Sequence, residues 1–169
     1  MRTDATEFKG RRLWMVLAPQ FFYGVVFIVS GTGKLPGQAE FADVLLQSFW
    51  NPLMAFLIAH LLPWAELVLG IALVLNLYPR LVALAGIPLI GGFIANNGWA
   101  LAQGMDKYPA CGYCFGVFEK WIGALSPLQS LTIDLVLLAS ALAIVCFHPD
   151  RFFSFQPWAW RRKAVQTDE

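Results

Sequence analysis

LMAFLIAHLLPWAELVLGIALVLNL (Leu53–Leu77), YPR (Tyr78–Arg80) and LVALAGIPLIGGFIANNGWAL (Leu81–Leu101) follow one another directly in the chain. An α-helix rises 1.5 Å per residue, so roughly 20 mostly apolar residues cross the ~30 Å hydrocarbon layer of a bilayer. Each apolar run is that long, and the connection between them is three residues. The two runs are therefore expected to form a tight antiparallel helical hairpin inside a membrane. Working outward, two further segments meet the same test, from about Leu13 to Ser30 and from Leu128 to Phe147, and none of the four contains Lys or Arg. The chain is 58% hydrophobic and only 14% charged, where a soluble domain carries about a quarter charged residues. Composition and segment count predict an all-α membrane protein, a bundle of four transmembrane helices surrounded by lipid. A formal net charge of +1 argues against a nucleic-acid partner, which needs clustered Lys and Arg on one face.

Local signals mark the ends of these spans. Ser126 is suited to cap the fourth helix, Pro127 fits its first turn and Gln129 completes a capping box; His148-Pro149-Asp150 marks its end. Pro19, Pro63 and Pro88 fall inside spans, where a membrane helix tolerates a kink. Gly86, Gly91 and Gly92 are candidates for close helix approach. The first run, of about 18 residues, exceeds the usual 7–15 of a signal-peptide core, and no small-x-small cleavage site follows it. It is expected to remain as a membrane helix.

Basic residues set the expected orientation. Arg2, Lys9, Arg11, Arg12, Arg80, Arg151, Arg161, Arg162 and Lys163 all fall on one side of an even number of spans, leaving Lys34, Lys107 and Lys120 for the other. By the positive-inside rule this places both termini in the cytoplasm and loops 31–52 and 102–127 outside, in a bacterial-type plasma (inner) membrane. Three regions follow: a basic tail over 1–12, the transmembrane domain over 13–147, and a cytoplasmic tail over 148–169. The aromatics Phe152, Phe153, Phe155, Trp158 and Trp160, followed by Arg161-Arg162-Lys163, read as an interfacial anchor.

The outer 102–127 loop holds Cys111-Gly112-Tyr113-Cys114. Two cysteines at this spacing can cycle between thiol and disulfide, staple a loop or hold a soft metal. A structural zinc site wants four Cys or His ligands, and the outer face has this pair and, at best, His60, so no metal is expected. Phe115, Phe118, Trp121, Ile122 and Leu125 recur at helical spacing, with Glu119 and Lys120 on another face, which suggests a short interfacial helix. At its N-terminus the helix dipole favours a thiolate, so Cys111 is the expected attacking thiol and Cys114 the resolving one. The third cysteine, Cys146, is expected to be a buried apolar residue.

Glu66 and Asp134 are ionisable residues within spans, where a carboxylate is costly without a partner. Glu66 lies about 20 Å along its helix from Leu53, and Asp134 about 9 Å from the start of the fourth. Lys34, on the outer side, is within snorkelling reach of Asp134. The three can serve as a packing ion pair or as a proton route. His60, about 600° round the helix from Glu66, is off its face and reads as interfacial or packing. Asn96 and Asn97, near the outer end of the third span, are suited to hydrogen-bond within the bundle or to bind a polar ligand, packing being the favoured reading.

Taken in order, Ser30-Gly31-Thr32-Gly33-Lys34-Leu35 with Phe41, Glu66-Leu67-Val68-Leu69-Gly70-Ile71-Ala72-Leu73, Arg80, Cys114-Phe115-Gly116 and Asp134 resemble the MauE/DoxX group of membrane proteins over Leu13–Phe147. That resemblance implies a four-helix bundle tied to thiol–disulfide chemistry outside the cytoplasm. MauE-like members are linked to maturation of the disulfide-rich small subunit of methylamine dehydrogenase, and DoxX-like relatives to quinone-linked redox complexes. Tyr113 is a departure, because MauE-like sequences carry a tighter Cys-Gly-Cys-Phe-Gly arrangement; the pathway is correspondingly less specified than the chemistry.

The leading expectation is a membrane-embedded thiol–disulfide oxidoreductase or maturation factor acting on an extracytoplasmic protein thiol or disulfide, with a membrane quinone as candidate acceptor. The alternative is a non-catalytic subunit of a membrane redox complex, its cysteine pair a static disulfide. A small transporter ranks third, since neither an inverted repeat nor paired broken helices is visible.

Overall fold

The structure is a computed structural model and describes residues 3–107, Phe115, Glu119, Gly123 and 125–148. Cys111, Cys114, most of the expected interfacial helix and the aromatic tail after His148 lie outside the described residues. Among the described residues five α-helices follow in order: α1 (Thr3–Lys34), α2 (Gln38–Leu46), α3 (Pro52–Val74), α4 (Pro79–Ala102) and α5 (Pro127–Phe147). Four stretches among the described residues are long and apolar enough to cross a membrane: Val16–Leu46, Pro52–Val74, Pro79–Ala102 and Pro127–Phe147. The protein is an all-α, multi-pass membrane bundle.

Expected helix ends match the local chemistry. The Asn51 side chain accepts from Met54 N–H at 2.9 Å to start α3. Ser126 and Gln129 form the full capping box at α5. The α3–α4 turn is tight, with Asn76 and Tyr78 at φ 58° and 44°, a left-handed conformation that asparagine tolerates better than most side chains. Gln20 Nε2 secures this turn by donating to the Leu73 carbonyl at 2.8 Å and to Asn76 Oδ1 at 2.9 Å. Helices α1, α3 and α4 run through Pro19, Pro63 and Pro88 without interruption.

The first span differs from its expected form. It does not end at Ser30 but continues helically to Lys34, breaks at the 3-10 turn Leu35-Pro36-Gly37, and resumes as α2. Residues 31–46 are therefore part of the bundle rather than an outer loop. Phe41 and Leu45 of α2 pack on Ala55, Ala59 and Leu62 in the first half of α3. Pro36 removes a backbone donor and Gly37 has left helical geometry (φ −117°, ψ 36°), so the chain bends where the ladder is weakest.

Helices α1 and α3 pair closely, as do α4 and α5, and contacts of α1 with α5 and α3 with α4 close the ring. Tyr23, Phe27, Leu73, Ile90, Leu137 and Ile144 fill its centre, with Tyr23 edge-on to Phe27 at 4.6 Å. Large apolar side chains such as Phe21, Leu61, Val68 and Leu128 cover the outside at more than 60% exposure, as a lipid-facing surface requires. Cys146 is exposed on that outer surface, correcting its expected burial. A cysteine is small and weakly polar, so lipid accepts it as readily as a core does.

Two glycine contacts explain the α1–α3 fit. A Cβ on Gly70 would stand 2.7 Å from the Gly24 carbonyl oxygen, and one on Gly31 2.7 Å from that of Pro63. Of the glycines singled out in the sequence, Gly86 makes room for the Tyr23 ring, whereas Gly91 and Gly92 face open space. The close approach belongs to α1 and α3, not to the middle of α4.

Arg80, at the start of α4, donates through Nε (2.9 Å) and Nη2 (2.7 Å) to the Val145 carbonyl in the last turn of α5. Its cation sits where a helix leaves carbonyls unpaired and the dipole is negative. Replacing Arg80 with Met is expected to cost about 1.5–3 kcal/mol, the range for hydrogen bonds to charged groups. A lower apparent unfolding temperature of the purified protein checks this, with Arg80→Lys recovering part of the loss.

Candidate functional site

The break after α1 sets the level of Lys34. Glu66 lies about 21 Å along α3 from Pro52, and the Gly31 approach brings the end of α1 against it. Lys34 Nζ meets Glu66 Oε1 at 2.7 Å, with the two side chains 3% and 0% exposed. Ser30, one helical turn before Lys34, donates from Oγ to the same oxygen at 3.2 Å. The other carboxylate oxygen, Glu66 Oε2, is buried without a hydrogen-bond partner among the described residues.

Lys34 thus pairs with Glu66, not with Asp134 as the sequence suggested. A first span ending at Ser30 would leave Lys34 at the membrane surface, near the depth of Asp134. Because the span continues to Leu46, Lys34 is instead held at the depth of Glu66. Asp134, buried on α5, accepts from Asn97 Nδ2 at 2.8 Å. Asn96 Oδ1 accepts from Ser48 Oγ at 2.7 Å and from Trp50 Nε1 at 3.3 Å, so the Asn96-Asn97 pair does bond within the bundle.

These groups face a cavity of about 230 Å³ between the helices. Lys34, Ser30, Glu66, Asn97 and Asp134 supply its polar wall, and Phe27, Phe41, Trp50, Phe93 and Phe115 its aromatic one. The Lys34 ammonium lies 4.5 Å from the Phe93 ring centroid and 5.2 Å from that of Phe41, distances at which a ring face attracts a cation.

Glu119 is also in the wall. The sequence reading put it on the polar face of an interfacial helix, but it is 5% exposed, with Oε1 accepting from the Phe115 N–H at 2.8 Å. A carboxylate four residues on can cap a backbone donor, so its burial follows from capping inward rather than from helical amphipathicity. His60 lies off the site: its Nδ1 is 2.9 Å from the Phe56 carbonyl oxygen and its ring stacks on Phe56. The sequence reading missed Ser30 and Gln20. Ser30 was legible as the residue one turn before Lys34, whereas Gln20 carries no pattern that points to the α3–α4 turn.

Fold and site together define a class: a small multi-pass membrane bundle that keeps a buried Lys–Glu pair and two further acids around an internal cavity. The family model described as methylamine utilisation protein MauE matches residues 12–147, and the chain belongs to the MauE family. Comparison with curated proteins and with solved structures gives no match.

Proposed function

We propose that this MauE-family protein is a membrane-embedded thiol–disulfide redox or maturation factor, with both termini cytoplasmic and Cys111/Cys114 facing an extracytoplasmic partner protein. The observation that supports this reading is the position of Phe115. It follows Cys114 directly in the sequence, and it lines the cavity that holds Lys34, Glu66 and Asp134. The dithiol is thereby one residue in the chain from the wall of the buried polar site.

In the oxidising direction a partner thiolate attacks Cys111 of the Cys111–Cys114 disulfide, and Cys114 leaves as a thiolate. A second partner thiol then attacks the partner sulfur of the mixed disulfide, displacing Cys111. The partner gains one disulfide and the pair is reduced by two electrons and two protons. Restoring the pair requires an acceptor of two electrons and two protons, which a membrane quinone would supply on reduction to quinol. In the reducing direction Cys111 attacks and Cys114 resolves, so Cys111 carries the mixed disulfide either way.

Cys111→Ser is expected to abolish disulfide transfer to the partner while the protein still inserts at wild-type level. Unchanged transfer would sink the assignment. The second reading, a non-catalytic subunit of a membrane redox complex with a static disulfide, draws on the sealed Lys34–Glu66 pair, which ties α1 to α3. Alkylation trapping in cells separates the two. A cycling pair is recovered in both reduced and oxidised forms, and a staple in the oxidised form alone.

A further inference from the structure

The cavity holds an imbalance that the thiol chemistry does not use. Glu66, Asp134 and Glu119 place three carboxylates in its wall, against the one ammonium, that of Lys34, among the described lining residues; Glu119 already accepts from the Phe115 N–H. Lys34 is committed to Glu66 Oε1, and among the described residues the hydrogen bond given to Asp134 comes from a neutral amide. Glu66 Oε2, on a side chain with no exposure, has no donor among the described residues. Leaving a buried acceptor unpaired is unfavourable because its lost hydration is not replaced, and a ligand carrying an N–H donor would supply the missing bond.

The shape of the site narrows the ligand. Among the described residues no three His, Cys, Asp or Glu side chains come close enough together to hold a metal ion, so the acids are spread around a space rather than converged on a point. A cavity of 150 Å³ lined by apolar side chains accommodates benzene, and this one, at about 230 Å³, has room for a ring plus a charged head. Its aromatic walls already hold one ammonium, that of Lys34, against Phe93 and Phe41.

We infer that the cavity is a binding site for a primary ammonium ion bearing a compact apolar substituent. The ammonium donates to Glu66 Oε2 and toward Asp134, and its substituent packs among Phe27, Trp50 and Phe93. This site does not depend on the thiol–disulfide reading, because it is argued from Lys34, Glu66 and Asp134 alone.

Benzylammonium is the probe, titrated into the full-length protein in lipid nanodiscs at neutral pH and followed by calorimetry or by the fluorescence of its tryptophans, of which Trp50 lies in the wall. Saturable binding is expected. Benzyltrimethylammonium, a cation without an N–H donor, and benzyl alcohol, a donor without charge, are each expected to bind at least about tenfold more weakly, a difference of about 1.4 kcal/mol. Asp134→Asn, which keeps an oxygen for the Asn97 amide, is expected to weaken benzylammonium by a similar factor without changing helicity or elution volume. Equal binding of the alcohol or the quaternary ion, or no saturable binding of benzylammonium, overturns the proposal. The three-ligand comparison on the unaltered protein decides it even if the Asp134 variant fails to fold.

Discussion

Replacing Glu66 with Leu is expected to lower the stability of the bundle by about 3–5 kcal/mol, the range for breaking a buried ion pair from one side. The Lys34 ammonium would then sit at the level of the missing carboxylate, 3% exposed, compensated among the described residues by the Phe93 and Phe41 rings and by the charge of Asp134 in the same cavity wall. Lys34→Met is expected to do similar damage for the opposite reason, leaving a buried carboxylate with, among the described residues, the Ser30 hydroxyl as its remaining hydrogen-bond donor. The double variant Lys34→Met/Glu66→Leu should recover most of the loss. An apolar pair of comparable volume is often neutral or stabilising relative to a buried ion pair, since neither charge has to be desolvated. The measurement is the apparent unfolding temperature in one detergent, where each kcal/mol moves a chain of this size by roughly 2–4 °C. Two single variants as stable as wild type would show that the pair does not hold α1 to α3. A double variant no better than the singles would show that Lys34 and Glu66 are not coupled.

The second large effect is expected at the α1–α3 seam. Gly31→Val places a branched side chain where the Pro63 carbonyl oxygen lies 2.7 Å from the new Cβ, with the Leu67 nitrogen at 3.0 Å and the Glu66 Cβ at 3.2 Å. Two of those three neighbours are helical backbone and have no rotamer to change. The helices must separate, at the typical overpacking cost of about 1–3 kcal/mol or more, and separation at this level also lengthens the Lys34–Glu66 contact. Gly70→Val meets the Gly24 oxygen and Ile28 in the same way. Gly91→Ala is the matched control, since nothing lies within 4 Å of its Cβ. Exchanging glycine for alanine in an open helical position gains up to about 1 kcal/mol of helix propensity. Thermal unfolding of the three variants side by side tests the seam: Gly31→Val and Gly70→Val should fall well below wild type, with Gly91→Ala at or above it. Equal behaviour of the three would mean that α1 and α3 do not meet at these glycines.

The first span shows how far sequence patterning reaches. Leu35-Pro36-Gly37 reads as the end of a helix, because proline and glycine together end most helices. Here they end α1 without ending the span. Phe41 and Leu45 continue the apolar surface on α2 and find Ala55 and Ala59 on α3, whose small side chains leave space for them. That pairing is long-range and leaves no mark on residues 35–46 themselves.

The carboxylates show the same division at the site. Glu66 and Asp134 announce themselves as acids within apolar runs, and Lys34 as the cation next to the first span, so the members of the cluster were legible. Their pairing was not. It depends on the depth of Lys34, which the break in α1 controls, and on the glycine seam that draws α1 against Glu66. Glu119 was read outward because helical periodicity assigns a face by neighbours, while its actual place follows from a backbone donor four residues earlier.

By itself, the sequence determined that this chain crosses a membrane four times, where three of its helices start and stop, and which few polar residues the bundle must accommodate. Length, hydropathy and capping are local properties, written within one or two turns of the residues they govern. Only the tertiary structure decided that Lys34 belongs to Glu66, that Asp134 is held by Asn97, and that a cavity with a carboxylate oxygen unpartnered among the described residues lies between them. Those outcomes depend on relative depth and distance between helices, which side-chain volume at Gly24, Gly31 and Gly70 controls and no single segment records.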